Sequence, residues 1–479
     1  MALLVLAVLI IRPTIADPDL WGHLRFGLDT LELHSVCRAD TYSYLTAGQR
    51  WINHEWLSEV LFALAYSATG AAGLNLLRLA AGFGTLAICY RWLSRRVENA
   101  VLLLLLVLPV IHYGLATVRP QLFTYLLFAI VLSALVLAEE GRWRRLWLLP
   151  ALFALWANLH GGFLAGLAVV FVWGVVHLAW NRGADWQRIV PVCLLCALAT
   201  LLNPYGAELP AFLLRTAVGP RADIGEWQPL RLLSVAGGVY TLLLALAVIG
   251  LLRSRRTRAL PLVAVFAMLA PVPLVAVRHL PLFGLGVLML AGEHMGDVGA
   301  KVLGRVKGAG VAAALPLVMA VVLGVVNFGN VTALRIGEGG LVYPAAAVAS
   351  LKASGAVGNM VVPFDWGEYV IWHLGPRVKV SMDGRRETVY SDEVRRADLR
   401  FRFGEKDWDA LLERPPADVA LVVRHSAADK LMRLKPGWVL AYEDAVAAVF
   451  APQGSALLQR LQQHPKPSLP ADGNGLNFP

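Results

Sequence analysis

Two carboxylates and an imidazole directly follow the first apolar segment of the chain, in the sequence DPDLWGH at residues 17–23. Asp17 or Asp19 can act as a catalytic general base, and with His23 an aspartate here can hold a divalent cation. Pro18 separates the two acids and disfavours a helix at Asp17. The structural alternative is an N-cap for a helix over residues 20–31. That role suits Asp19 and does not need Asp17.

A second polar cluster, NHEW at residues 53–56, opens the next apolar segment. Glu55 and Glu59 are one helical turn apart and repel each other unless a cation or a proton lies between them. Asp17, His23, His54 and Glu55 therefore form a candidate site for a divalent metal cation. His23, His54, Glu55 and Glu59 are also candidate substrate contacts. The alternative is a solvated loop whose flanking tryptophans lie among lipid headgroups.

Arg119, in the sequence VRPQLF, and the pair Arg278-His279 interrupt otherwise apolar stretches. A guanidinium is planar and permanently charged, which suits it to phosphate oxygens. These three residues are therefore candidate phosphate ligands. Arg119 could equally be an ordinary cation at a helix end, and Arg278 with His279 a structural partner of an acidic loop residue.

A polar, glycine-rich link, NLHGG at residues 158–162, lies between two apolar runs. Glycines allow backbone to approach a ligand closely, so Asn158 and His160 are candidate substrate-binding residues. The alternative is a tight connection between two helices, for which a histidine is not required.

Two further polar clusters lie near the C-terminus, DWGEY at residues 365–369 and DGRRETVY at residues 383–390. Each follows a predicted strand, where α/β domains bind ligands. Aromatic rings stack on sugars while carboxylates accept hydroxyl protons, so the candidate substrate contacts are Asp365, Trp366, Asp383, Arg385 and Arg386. The alternative is turn chemistry, since Asp-Gly is a turn signal by itself. The chain carries no P-loop, GxSxG or HExxH motif.

The composition is that of a membrane protein. Of 479 residues 57% are apolar and 16% charged, and the mean hydropathy is +0.60, whereas soluble domains carry about 25% charged residues. The net charge of +10 comes from basic clusters between apolar runs, as in cytoplasmic loops, and no basic stripe with interleaved aromatics indicates nucleic-acid binding. A CxxC at residues 193–196 lies inside an apolar run and predicts neither a disulfide framework nor a redox or zinc motif.

The pattern predicts a polytopic α-helical membrane protein with about 11 spans. The predicted spans are residues 2–16, 73–93, 100–117, 121–138, 146–158, 161–180, 189–202, 237–252, 259–275, 279–292 and 311–328. Basic clusters on the cytoplasmic side place the polar motifs and the C-terminal region on the outer face. Residues 56–72 are apolar enough to cross, but an interfacial or re-entrant helix fits the charge pattern better.

Residues 330–455 predict a soluble, extracytoplasmic α/β domain. Strands are expected at 360–364, 377–383 and 418–424, with helices at 366–373 and 427–434 and a hairpin from 438–443 and 446–451. The predicted domains are thus a transmembrane domain over 1–329, including a first outer loop at 17–55, the α/β domain, and a flexible tail over 456–479.

The chain resembles the GT-C superfamily, polytopic glycosyltransferases that include protein mannosyltransferases and RgtA-like enzymes. The likeness lies in a short first span, the acidic opening of the first outer loop (DPD at 17–19) and the NHEW entry into the next helix. The segments RPQLF, WANLHGGF and DGRRETVY are similar to those of uncharacterised bacterial members. The family form has Asp-Glu where this chain has Asp-Pro-Asp, and His-Pro-Pro-Leu where it has His54-Glu55-Trp56-Leu57.

The resemblance implies a bacterial inner-membrane transferase that takes a sugar from a polyprenyl-phosphate donor. The acceptor would be an extracytoplasmic glycan, lipid or protein. Asp17 or Asp19 would be the catalytic base, Arg119, Arg278 and His279 would bind the donor phosphate, and a divalent cation could assist. The competing hypotheses are a transporter or flippase of a lipid-linked glycan and a non-catalytic partner that binds envelope glycan. The donor sugar and the oligomeric state are open.

Overall fold

The structure, a computed structural model, describes residues 14–98, 100–217, 224–303, 334–337, 342–413, 415–463, 467–473 and 475–479. Within these ranges the chain forms two compact units. One comprises residues 75–303. The other comprises residues 14–74 together with the described residues from 334 onward.

The second unit begins with the segment that follows the first predicted span. Its elements are β1 (Thr14–Ile15), α1 (Pro18–Leu33) and α2 (Trp56–Thr69). The helix α2 has 14 residues, about 21 Å of rise, which is short for a bilayer core of about 30 Å. The helix is present as expected, and its interfacial or re-entrant placement stays a prediction.

The first unit is helical, because its apolar runs can satisfy their backbone hydrogen bonds only internally. Its helices are α3 (Ala71–Leu93), α4 (Ala100–Leu115), α5 (Gln121–Glu139), α6 (Leu149–Leu159), α7 (Phe163–Trp180), α8 (Trp186–Ala199), α9 (Glu208–Ala217), α10 (Val235–Arg253), α11 (Leu260–Leu269), α12 (Val272–Val275), α13 (Leu280–Gly286) and α14 (Gly292–Leu303). A π-helical turn, Val287–Ala291, joins α13 to α14.

Four helices in the described part of the chain are long and apolar enough to cross a membrane, namely α3, α5, α7 and α10. Shorter apolar helices coincide with other predicted spans, at Leu103–Leu115, Trp186–Ala199 and Leu260–Val275. The predicted spans at 2–16 and 311–328 lie outside the described residues, apart from the last three residues of the first. The membrane character is therefore confirmed, while the count of 11 spans stays a prediction.

The remaining elements of the second unit build a small α/β layer. They are β2 (Leu334–Arg335), α15 (Ala345–Ala353), β3 (Gly358–Val361), α16 (Gly367–Leu374), β4 (Val378–Val380), α17 (Asp392–Phe403), α18 (Ala410–Glu413), β5 (Val419–Val423), α19 (Ala427–Met432), β6 (Trp438–Glu443), β7 (Ala447–Pro452) and α20 (Ala456–Gln463). The sheet order is β4-β3-β5-β7-β6, with β3 parallel to β4 and β5 and antiparallel pairing of β5 with β7 and of β7 with β6. The apolar β5, sequence VALVV, lies at the centre because both of its faces are covered.

Each strand predicted in the C-terminal domain is present within a few residues, including the hairpin of β6 and β7. The expected flexible tail is different: residues 456–463 form α20, and Phe478 is buried with its ring 4.2 Å from that of Trp21. The segment is ordered because α20 has an apolar face and Phe478 is a buried aromatic residue. Its Pro and Gly content had suggested disorder instead.

The first outer loop, predicted to belong with the transmembrane helices, packs in the same unit as the C-terminal sheet. Ser43 forms a parallel bridge with Val380 of β4, and Tyr44 donates a hydrogen bond from its hydroxyl to Leu411 O at 3.2 Å. Gly27 lets α1 approach α2 closely, since a Cβ there would lie 2.1 Å from Glu59 O. Long-range pairing of this kind leaves no signal in the local sequence.

Candidate active site

Asp17 and Asp19 have different roles at the start of α1. Asp17 is the N-cap: it is buried, and its Oδ1 accepts a hydrogen bond from Asp19 N at 3.1 Å. Pro18 occupies the first helical turn, where its missing N–H costs nothing. The expectation that Asp19 suits the cap is wrong, because the helix starts two residues earlier than its apolar pattern indicates. Asp19 is half-buried in the first turn of the helix.

His23, one turn after Asp19, lies between the two glutamates of the second cluster. Its Nδ1 is 3.2 Å from Glu59 Oε1, and its Nε2 is 4.0 Å from Glu55 Oε2. Burial alone would lower the pKa of His23, but the hydrogen bond to Glu59 and the charges of Glu55, Glu59 and Asp19 raise it to about 9. The imidazolium is thus the cation that the two glutamates require, and Asn53 completes the cluster by donating from Nδ2 to Glu59 Oε2 at 2.6 Å.

The same residues do not form a metal site as they are placed. His23 is protonated at neutral pH, and a protonated imidazole is not a metal ligand. His54 lies 3.7 Å from Glu55, and Asp17 caps the helix. In the described ranges no group of three or more His, Cys, Asp or Glu side chains is arranged to hold a metal ion. Metal binding at Asp17, His23, His54 and Glu55 would need these side chains to rearrange, and it stays a prediction.

A buried carboxyl that the sequence analysis did not select, Glu368 of α16, lies against the start of α1. Its Oε2 accepts a hydrogen bond from Gly22 N at 3.1 Å. Its Oε1 and Asp19 Oδ1 converge on Gly384, lying 2.6 and 2.7 Å from the point where a Cβ would stand. Burial, followed by the charges of Asp19 and Asp383, raises the pKa of Glu368 well above its usual value. Burial and the two neighbouring acids thus disfavour the charged form of Glu368 beside Asp19.

Asp383 and Arg385 form a buried ion pair with Asp40 of the first outer loop. The Arg385 guanidinium donates to both oxygens of Asp383 at 2.8 and 2.7 Å and to Asp40 Oδ1 at 2.6 Å. Tyr390 donates its hydroxyl to Asp383 Oδ2 at 2.6 Å. The rings of Phe26, Tyr42, Trp51 and Tyr390 lie 4.9–5.9 Å from the guanidinium carbon. This network holds the loop to the domain; substrate binding by Asp383 and Arg385 stays a prediction.

The other three C-terminal candidates are more scattered. Trp366 is buried and donates its indole N–H to Val342 O at 2.7 Å. Arg386 is buried with its guanidinium carbon 5.5 Å from the Phe364 ring centre. Asp365 is exposed and lies 3.9 Å from Arg402. Of the three, only Asp365 is open to solvent in this arrangement, and their role in substrate binding is untested.

In the helical unit, Arg119 and Arg278 converge on one carboxylate. Glu226 accepts from Arg119 Nη1 at 2.7 Å with Oε2 and lies 3.3 Å from Arg278 Nη1 with Oε1. The Arg278 guanidinium also lies over the ring of Trp227, 4.2 Å from its centre. Burial would raise the pKa of Glu226, but the two arginines outweigh it and lower the pKa, so the carboxylate is ionised. Two of the three predicted phosphate ligands therefore pair with one acidic residue, as the structural alternative for Arg278 expected, and phosphate binding by them stays a prediction.

His160 belongs to the same electrostatic neighbourhood, since its charge also acts on Glu226. Its Nδ1 accepts from Gly162 N at 2.9 Å and from the Thr124 hydroxyl at 2.8 Å, so in the neutral ring the proton is on Nε2. His279 follows Arg278 with its ring 6.3 Å from Trp227. Asn158 has a structural contact: its amide donates to Ala154 O and Leu202 O, both at 2.8 Å.

Glu226 and Glu368 are the two site residues that sequence reasoning missed. Glu226 follows a polar stretch and precedes a tryptophan, a pairing that resembles a loop anchor as much as a functional acid. Glu368 lies inside the DWGEY segment but was not selected, because Asp365 and Trp366 were chosen there as the acid and the aromatic ring of a sugar contact. Neither role could be seen in the local sequence, because the contacting residue is distant. Arg119 is 107 residues from Glu226, and Gly22 is 346 residues from Glu368.

No protein-family model matches the chain, and no curated protein is detectably similar in sequence. The fold is similar to that of ArnT from Cupriavidus metallidurans bound to undecaprenyl phosphate, with a TM-score of 0.57 and 13% identity over 95% of this chain and 97% of that one. It is also similar to the apo oligosaccharyltransferase of Archaeoglobus fulgidus, with a TM-score of 0.58 and 11% identity over 88% of this chain and 69% of that one.

A second structure of the archaeal enzyme, AglB in complex with an inhibitory peptide and a dolichol-phosphate, gives a TM-score of 0.58 and 12% identity over the same 88% and 69%. At these identities the likeness is one of fold, and it extends over both units of the chain. The chain shares the fold of ArnT and of the archaeal oligosaccharyltransferase.

Proposed function

We propose that this protein is an integral-membrane glycosyltransferase that moves a sugar from a polyprenyl-phosphate donor to an acceptor. The observation that carries the proposal is the convergence of Arg119 and Arg278 on the two oxygens of one carboxylate. Two guanidiniums spaced for two anionic oxygens are suited to a phosphate as well. Support comes from the shared fold with ArnT bound to undecaprenyl phosphate and AglB bound to a dolichol-phosphate.

Asp19 is the better candidate for the catalytic base. Asp17 is buried and its carboxylate holds the first turn of α1. Asp19 is more exposed, and its surroundings contain the buried carboxyl of Glu368 and the imidazole of His23. Asp19 would take the proton of the acceptor hydroxyl while the acceptor oxygen bonds to the anomeric carbon. As this bond forms, the bond from the anomeric carbon to the phosphate oxygen breaks.

The electron pair of the broken bond stays with the departing polyprenyl phosphate, whose charge increases. Arg119 and Arg278 would stabilise this charge where it develops, which is usually the largest electrostatic contribution in such transfers. For the phosphate to enter, the Glu226 carboxylate has to move or share the pair. A divalent cation, if bound, would supply further charge stabilisation.

The location and the remaining partners follow from the same proposal. The active face and the C-terminal domain would lie on the extracytoplasmic side of the inner membrane, opposite the basic clusters. The acceptor would be a glycan, a lipid or a protein, and the exposed Asp365 would be the first contact to test for it.

The test is turnover by the purified protein in lipid vesicles, offered a panel of polyprenyl-phosphate sugars and an envelope extract as acceptor. Free polyprenyl phosphate is counted for wild type, Asp19→Asn, Asp17→Asn and Arg119→Gln. Asn caps a helix as well as Asp does, so Asp17→Asn should stay within a few-fold of wild type. Asp19→Asn should lose about 100-fold or more with unchanged thermal stability.

Several outcomes would contradict the proposal in different ways. Full activity of Asp19→Asn with loss in Asp17→Asn would move the base to Asp17. Full activity of both would remove the first outer loop from the chemistry. Absence of release from every donor by folded protein would favour the transporter or the glycan-binding partner, and lipid-linked glycan translocation into vesicles would then separate those two.

A further inference from the structure

A cavity of about 550 Å³ opens in the helical unit at the end of α5 that is opposite Arg119. The last turns of α3 and α5 and the first turns of α6 form its walls. Its floor is apolar, with Ile88, Ile130, Leu137, Leu149 and Leu152. The 19 residues of α5 rise about 28 Å, so this cavity is separate from the arginine pair that binds Glu226.

The mouth of the cavity is strongly basic. Five arginines and a single glutamate line it: Arg91, Arg95, Arg96, Arg142, Arg145 and Glu140. Glu140 pairs with Arg96 and lies 3.7 Å from Arg142. In the part of the chain that the structure describes, no group accepts a hydrogen bond or forms an ion pair with the side chains of Arg91, Arg95 and Arg145. The mouth therefore contains more arginines than the acidic side chains lining it can neutralise.

We propose that this cavity binds an anionic glycerophospholipid of the surrounding membrane. The lipid phosphate would lie among Arg91, Arg95 and Arg145, and an acyl chain would cover the apolar floor. Basic pockets between transmembrane helices bind anionic lipid headgroups in this way. The excess of arginine disfavours a zwitterionic lipid, whose own cation would lie among guanidiniums. A small soluble anion would leave the floor uncovered.

Basic clusters between apolar runs can be topology signals, and they can also form a lipid-binding site. The cavity distinguishes these two interpretations. A topology signal needs only charge in the loop, whereas a lipid site needs the guanidiniums to stand over an apolar cavity of lipid dimensions. Arg144 shows the contrast, since it belongs to the same basic cluster as Arg145 but does not line the cavity.

The test is native mass spectrometry of the delipidated full-length protein with an equimolar mixture of dioleoyl-phosphatidylglycerol and dioleoyl-phosphatidylcholine. Wild type should retain phosphatidylglycerol about tenfold over phosphatidylcholine. Arg91→Gln/Arg95→Gln should lose most of this preference. The matched control, Arg144→Gln/Arg255→Gln, removes two exposed arginines that do not line the cavity and should keep it. Thermal melting of each variant checks folding.

A third variant tests the floor with every arginine present. Ser133→Leu adds volume to the cavity wall and should also lower phosphatidylglycerol retention several-fold. The proposal is overturned if wild type retains the two lipids equally, if the two double variants lose retention alike, or if Ser133→Leu retains lipid as wild type does. It is also overturned if soluble glycerol phosphate displaces the lipid at equal concentration, because the site would then bind a soluble anion.

Discussion

His23 and Glu59 form a buried ion pair, with 3.2 Å between His23 Nδ1 and Glu59 Oε1. The histidine comes from α1 and the glutamate from α2, so the pair joins the acidic start of the first outer loop to the helix at its end. Glu55 adds a second negative charge at 4.0 Å from Nε2. With these two glutamates so close, the local structure is stable only when His23 is protonated.

The first prediction is a loss of stability at alkaline pH that depends on His23. Its pKa rises from 6.5 to about 9 in the folded chain. A raised pKa gives stabilisation that is complete below about pH 6.5 and disappears as the pH rises through about 9. The melting temperature of wild type should therefore fall between pH 7 and pH 9.5. His23→Gln should start lower and fall less.

His54→Gln is the matched control, since His54 is more exposed and lies 3.7 Å from Glu55. Its melting temperature should follow the wild-type pH profile. A profile of His23→Gln with the same slope as wild type would show that another group titrates in this range.

The second prediction concerns competition between Glu226 and the donor phosphate for Arg119 and Arg278. Opposite charges near a protein surface attract by about 4 kcal/mol at 4 Å, so removing the competing carboxylate should favour the lipid phosphate by tenfold or more. Glu226→Gln should lower the donor KM, and Arg119→Gln should raise it. Release of polyprenyl phosphate at varied donor concentration measures both.

Glu98→Gln, at an exposed glutamate of the same unit, controls for the loss of one negative charge and should leave the donor KM unchanged. An unchanged or higher KM in Glu226→Gln would mean that the carboxylate positions the arginines for the donor and does not compete with it.

The third prediction concerns the space at Gly384. A Cβ there would stand 2.6 Å from Glu368 Oε1 and 2.7 Å from Asp19 Oδ1, too close for either oxygen to stay in place. Gly384→Ala should displace Asp19 and reduce turnover about tenfold to 100-fold, since misplacement by about 1 Å can cost that much. Gly238→Ala, where a Cβ meets nothing within 4 Å, should leave turnover unchanged.

Both variants are melted in the same buffer to separate misfolding from displacement. Wild-type turnover by a folded Gly384→Ala protein would contradict the placement of Asp19 in the chemistry.

The fold could be predicted from sequence to the extent that its signals are local. Apolar runs located α3, α5, α7 and α10, and alternating or continuous apolar segments located β3, β4, β5 and the β6–β7 hairpin. The helix α17 was not expected, because its sequence DEVRRADLRFRF has few apolar residues and buries only Asp398 and Phe401. The membership of residues 14–74 in the C-terminal unit was not expected either, because it depends on pairings such as Asp40 with Arg385.

The candidate site was predictable by residue type but not by partner. The arginines 119 and 278 were selected for an anion, and the structure brings them to one carboxylate whose own residue was not selected. The two glutamates of the second cluster were expected to need a cation, and His23 supplies it. The expectation that Asp19 caps the helix was wrong because it depended on where α1 starts, and Pro18 as the first helical residue moves that start.

The last prediction concerns Arg385, which stabilises the second unit. Arg385→Met leaves the carboxylates of Asp383 and Asp40 buried without their cation, and removing one partner of a buried pair costs about 3–5 kcal/mol. Arg395→Met breaks an exposed pair with Asp392 and should cost about 0.5 kcal/mol or less. Denaturant unfolding of both variants in detergent measures the difference. Equal losses in the two variants would mean that the network around Arg385 contributes nothing beyond a surface ion pair, and the first outer loop would then be held by its apolar contacts alone.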